Sequence, residues 1–104
     1  MSNEEDLKGK DKRALRALGH ALKPVVYMGK EGLSEGVVEA TLQALEDHEL
    51  IKIKCGTNHL GDTKVVANEL AKKTDSILAQ VIGNSILLYK EHPKNPVIVL
   101  PRDK

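Results

Sequence analysis

The chain contains no tryptophan and no phenylalanine, and Tyr27 and Tyr89 are its only tyrosines. Domains that stack a run of bases on a sheet need aromatic side chains there, so binding of the RRM or OB type is not expected. Tyr27 sits in an apolar run, which assigns it to the core rather than to a stacking platform. Cys55 is the only cysteine, which excludes an intramolecular disulfide and fits a reducing compartment. Cys55 and His59 have the spacing of two metal ligands, but no second pair completes a site. A buried structural thiol and a loop histidine are the expected roles. No apolar run approaches the roughly 20 residues that cross a bilayer. The polar, acidic start from Met1 to Asp6 has none of the marks of a signal peptide. The sequence therefore predicts a cytoplasmic protein with no membrane partner.

With 104 residues, 40% hydrophobic and 30% charged, the chain fits one globular domain. A frayed tail is expected over residues 1–9 and a single folded unit over 10–104. The net charge of +1 hides an uneven distribution. Residues 8–30 carry Lys8, Lys10, Lys12, Arg13, Arg16, Lys23 and Lys30 against Asp11 alone, a local charge of +6. Residues 31–62 swing to −5, and residues 63–104 return to +3. A basic block of this kind attracts polyanions even when the whole molecule is nearly neutral.

Hydrophobic periodicity places the elements. From about Asp11 to Leu22 the pattern is helical, with Leu15, Leu18 and Leu22 on one face beside Ala14 and Ala21. At about 100° per residue, Lys12, Arg13, Arg16 and His20 fall on a separate arc. Pro24 ends that helix. Val25-Val26-Tyr27-Met28 reads as a buried strand. A second helix runs from about Ser34 to His48, with Ser34 as N-cap, Leu33 stapled against Val38, and a stripe of Val37, Val38, Leu42 and Leu45. Leu50 to Cys55 alternates as a strand with Ile51, Ile53 and Cys55 on one face. Asp62 caps a third helix that runs to about Thr74. Ile77–Ile82 and Ser85–Lys90 form a hairpin about Gly83-Asn84, and Val97–Leu100 suggests a short final strand. The order is helix–strand–helix–strand–helix–strand–strand. It predicts an α/β fold with helices packed on a mixed four-stranded sheet.

Gly29-Lys30-Glu31-Gly32 lies between a predicted strand and a predicted helix. Two glycines three apart let the main chain turn sharply and approach another backbone. The loop's free N–H groups, followed by a helix N-terminus, can cradle a phosphate, and Lys30 adds a charge at the tip. A GXXG loop clamps nucleotides in this way in the KH module. The same spacing also serves a strand-to-helix turn that binds nothing, and Glu31 must point away from any bound phosphate. Neither a Walker loop nor a dinucleotide fingerprint is complete, so no nucleotide cofactor is expected. No acid–base pair or metal cluster suggests catalysis, so neither enzymatic activity nor a small-molecule substrate is expected.

Longer blocks carry a resemblance. The run from Leu15 to Leu33, LRALGHALKPVVYMGKEGL, resembles the signature of the CRM domain (chloroplast RNA splicing and ribosome maturation). Glu49-Leu50-Ile51-Lys52-Ile53-Lys54 and Gln80 to Tyr89 continue the match in the same order, so that it covers nearly all of residues 10–101. The chain is most similar to the stand-alone bacterial, YhbY-like class. The resemblance implies a fold like the C-terminal domain of translation initiation factor three. It also implies binding to structured RNA, here ribosomal RNA of large-subunit precursors, by an assembly factor expected to be a monomer. By the same resemblance, Gly29, Lys30, Glu31, Gly32 and the first helix form the RNA contact.

From the residues, Lys12, Arg13, Arg16, His20 and Lys23 are the candidate phosphate partners beside that loop. Lys52 and Lys54, on one face of a strand, are further candidates. A protein-interaction module is the alternative, with the acidic stretch 31–62 as a surface for ribosomal proteins or factors.

Overall fold

The alternation in Leu50-Ile51-Lys52-Ile53-Lys54-Cys55 sends successive side chains to opposite sides of a sheet, and this strand lies at the centre of the architecture. The computed structural model describes residues 9–29, 33–56, 63–92, 94, 96 and 98. The elements in chain order are α1 (Gly9–His20), β1 (Val26–Met28), α2 (Glu35–His48), β2 (Leu50–Cys55), α3 (Thr63–Thr74), β3 (Ile77–Ile82) and β4 (Ser85–Tyr89). They follow the predicted order. The strands lie as β1-β2-β4-β3, with β1 parallel to β2 and the other pairings antiparallel. A mixed four-stranded sheet carries the helices, as the sequence predicts.

One face of the sheet holds the larger core. Ile51, Ile53 and Cys55 of β2 join Val26 and Met28 of β1 and Ile86 and Leu88 of β4 beneath α2 and α3. The other face belongs to α1. There Leu15 packs with Leu50, Ile77, Ala79, Leu87 and Tyr89. Ala79 reaches that face at an irregularity in the β3–β4 register, between Leu78 and Gln80.

Local chemistry sets the helix ends. Val37 N donates to Ser34 Oγ at 3.2 Å, the predicted N-cap. At the other end Glu49 adopts φ 63° and its N–H donates to Leu45 O. The apolar stripe of α2 differs from the prediction: Leu42 is exposed, while Thr41, Ala44 and Leu45 are buried. Thr41 is tolerated there because its hydroxyl donates to Val37 O at 2.7 Å.

α1 also departs from expectation. It begins at Gly9 and ends at His20, and Leu18 is 47% exposed although the leucine spacing put it in the core. The buried line runs through Asp11, Leu15 and Gly19 instead. Gly19 has a steric reason to lack a side chain, because a Cβ there would lie 2.6 Å from Leu87 Cδ2. A further difference concerns Tyr27. β1 is a short strand at the sheet edge with Val26 and Met28 buried, so Tyr27 between them faces the opposite side and is 69% exposed. The strand lies where the sequence predicts; its aromatic side chain does not.

Asp62, the predicted cap of α3, lies outside the described residues. So do Val97, Val99 and Leu100 of the predicted final strand, and the described residue of that segment, Ile98, is not in a strand. Ile98 is nevertheless held to the fold. The buried Glu49 carboxylate accepts from Ile98 N at 2.8 Å and from His92 N at 2.7 Å. Hydrogen bonds to a charged acceptor contribute more than neutral ones. Glu49→Ala should therefore lower unfolding stability by about 2–4 kcal/mol, read from denaturant midpoints. Amide exchange should quicken at His92 and Ile98 in the same variant.

Candidate nucleic-acid interface

The predicted site residues can be placed from the two facing rules, helix arc and strand alternation. Lys12, Arg13, Arg16 and His20 project from α1, and Lys23 from the connection to β1. Lys12 and Arg16 are half-buried, whereas Arg13, His20 and Lys23 are exposed. Their arc begins beside the buried line of Leu15 and Gly19, so the stems of Lys12 and Arg16 leave the edge of the contact while their charges reach outward. The fold thus anchors one arc of α1 and presents another.

Lys52 and Lys54 alternate with Ile51, Ile53 and Cys55, so they lie on the α1 side of the sheet. Lys52 is half-buried and Lys54 is exposed. Lys52 lines a small open cleft of about 110 Å³ with Gly19, His20, Gln80, Ser85 and Leu87. The structure therefore brings His20 and Lys52 together at the C-terminal end of α1. Lys54 lies one step further along the strand.

Gly29 follows β1 and is exposed. A Cβ there would meet nothing within 4 Å among the described residues, and its φ is not in the left-handed region. Among the described residues, neither packing nor backbone strain demands glycine at this position. Gly56 closes the neighbouring strand end, donating its N–H to Met28 O at 2.8 Å. Lys30, Glu31 and Gly32 lie outside the described residues, as does His59.

A model of the CRS1 / YhbY (CRM) domain matches residues 7–90. The chain belongs to that family. The Bacillus subtilis relative named "Probable RNA-binding protein YqeI" is 43% identical over 95 residues, covering 91% of this chain and 99% of that one. "Probable RNA-binding protein PA4753" of Pseudomonas aeruginosa is 40% identical over 83 residues, 80% of each chain. The solution structure of Staphylococcus aureus SAV1595 superposes with a TM-score of 0.80 at 41% identity, covering 91% of this chain and 99% of the other. The match spans 80–99% of the length of these small bacterial relatives, as expected of YhbY-like members.

Within this CRM domain, three of the four residues in one row of the sheet were not assigned to the candidate site from the sequence. Tyr27, Lys54, Ser85 and Ile82 occupy one transverse row, because Tyr27 pairs with Lys54, Lys54 with Ser85, and Ser85 with Ile82. Only Lys54 was singled out beforehand. Alternation alone would have exposed Tyr27 had the burial of Val26 and Met28 been foreseen. The run of four apolar-looking residues gave no such period.

Among the described residues, no group of three or more metal-ligating side chains gathers. Cys55 is buried, and burial pushes its thiol above the ordinary value of 9.0. The thiol stays neutral in the fold at pH values where an unfolded chain would ionise. Stability should therefore fall as pH rises through about 9, and Cys55→Ala should flatten that alkaline limb in denaturation midpoints taken from pH 7 to 10. A thiol reagent at pH 8 should label Cys55 in the folded protein far more slowly than in urea.

Proposed function

We propose that this CRM domain is a non-enzymatic, cytoplasmic RNA-binding protein that engages ribosomal RNA of large-subunit precursors as an assembly factor. The observation that carries the reading is the gathering of cations on one side of the sheet. The arc of Lys12, Arg13 and Arg16 on α1 leads to His20, Lys52 and Lys54 at the sheet end. The relatives named as RNA-binding proteins support the same class of partner. No described helix is long and apolar enough to cross a membrane.

In this mechanism the RNA backbone is held first by charge and then by close approach. Lys12, Arg13, Arg16 and Lys23 neutralise phosphates and fix the docking angle; such contacts position rather than specify. The Gly29-Lys30-Glu31-Gly32 loop offers its N–H groups to a further phosphate, with the charge of Lys30 as a supplement. The absence of any described neighbour within 4 Å of a Cβ at Gly29 suits a backbone that must come near. No chemistry is performed on the RNA.

Binding of the purified protein to large-subunit ribosomal RNA fragments over a salt series tests the reading. If about four phosphates are neutralised, log K should fall by roughly 3 per decade of salt. Lys30→Ala should weaken binding and reduce the slope by about 1, and Arg16→Glu should reduce both further. A salt-insensitive affinity would sink the electrostatic mechanism. Equal affinity for transfer RNA of similar length would remove the ribosomal assignment and leave RNA binding intact.

A further inference from the structure

We infer that the open end of the sheet on the α1 side is a stacking site for one unpaired base of a bound RNA, with Tyr27 as its platform. This rests on the RNA-binding reading and adds a second mode of contact, one that does not depend on charge.

The site follows from the strand pattern. Val26 and Met28 enter the core beneath α2, so the pleat turns Tyr27 to the other side. On that side α1 stops at His20. It covers the part of the sheet around Leu50, Leu87 and Tyr89 but leaves the row Tyr27, Lys54, Ser85, Ile82 uncovered. Tyr27 is 69% and Ile82 54% exposed. Large apolar side chains at opposite ends of one sheet row form a surface that a partner can desolvate.

The chemistry of the row favours a nucleotide as that partner. Lys54 lies beside the tyrosine in register, and Lys52 follows on the same face in the next row. Among the described residues, neither the row nor the cleft beside it contributes a carboxylate. An aromatic face next to two cations matches a base joined to phosphates: the ring takes the base by stacking, and the ammonium groups take the backbone. Ser85 and Gln80 add a hydroxyl and an amide within the same area, suited to a base edge. Four paired strands span three inter-strand spacings, roughly 14 Å, which accommodates one nucleotide and its flanking phosphates. A single ring holds one base rather than a run, which distinguishes the site from a sheet that stacks several. Gly29, exposed and two residues beyond Tyr27 in the chain, opens the proposed phosphate loop.

The test compares Tyr27→Ala, Tyr27→Leu and Tyr27→Phe with wild type, using a single-stranded RNA oligonucleotide and a fully paired duplex. Because Tyr27 is exposed, none of the three should alter the thermal midpoint appreciably. Loss of one stacked base by alanine should weaken single-strand binding roughly 5- to 150-fold. Leucine should weaken it nearly as much, and phenylalanine should restore it. Duplex binding should be unchanged, and so should the salt slope on the single strand, since no phosphate contact is removed. In ring-proton NMR spectra, Tyr27 should move upfield on addition of the oligonucleotide while the buried Tyr89 stays in place.

Wild-type binding to RNA with no effect of Tyr27→Ala would overturn the stacking site and leave the RNA-binding reading standing. Failure of wild type to bind either RNA at any salt would overturn both. Movement of Tyr27 resonances on raising protein concentration alone, without RNA, would seat a second copy of the chain on this face and reject the proposal.

Discussion

The seating of α1 on its own side of the sheet is the contact on which the rest of the molecule's surface depends. Leu15 supplies the apolar anchor, wholly buried against Leu50, Leu87 and Tyr89. Gly19 supplies the close approach, because any side chain there would collide with Leu87. The anchor and the close approach together fix both the height and the rotation of the helix. Rotation decides which arc of α1 meets water, and so fixes the direction of Lys12, Arg13 and Arg16. Where the helix stops decides how much of the sheet it covers. A longer α1 would roof over the row that includes Tyr27 and Lys54, and a differently rotated one would bring its cations against leucines.

Much of this architecture was legible in the residues. The order of seven elements, the mixed sheet, the Ser34 cap and the span of β2 all follow from periodicity and capping chemistry, which are local. The errors share one physical origin, which is that periodicity scores side chains by type and not by what each one meets in the fold. Leu18 was assigned to the core because leucine usually is, yet the helix approaches through Gly19, a residue that adds nothing to a hydrophobic count. Thr41 displaced Leu42 in the same way, since a threonine that bonds its own helix backbone can be buried without a further partner. Tyr27 was misplaced because three apolar neighbours masked a two-residue period, and only pairing with β2 shows which face each occupies. In every case the missing information was tertiary.

The candidate interface was legible to a different degree. The basic arc of α1 needs only helical geometry, and the structure keeps Lys12, Arg13, Arg16 and His20 accessible on it. That Lys52 would share a cleft with His20 needs the sheet order and the docking of α1. Neither could be read from residues separated so far in the chain. The family match over residues 7–90 identifies the domain, while the candidate interface residues rest on helix arc and sheet register.

The two faces of the sheet divide the demands of stability and recognition. On the α2 and α3 side, Val26, Met28, Ile51, Ile53, Ile86 and Leu88 are all taken up by the core. On the α1 side the apolar cluster is smaller and ends early. The sheet must continue past it, because β1 and the ends of β2 and β4 are held by the larger core beneath. The exposed row is thus a geometric consequence of placing two helices on one face and a single one on the other. A chain that needs the full sheet for stability on one side has an uncovered strip on the other. In this sequence the strip carries Tyr27 and Lys54 beside Ser85, a set of side chains suited to an aromatic anion more than to an apolar peptide.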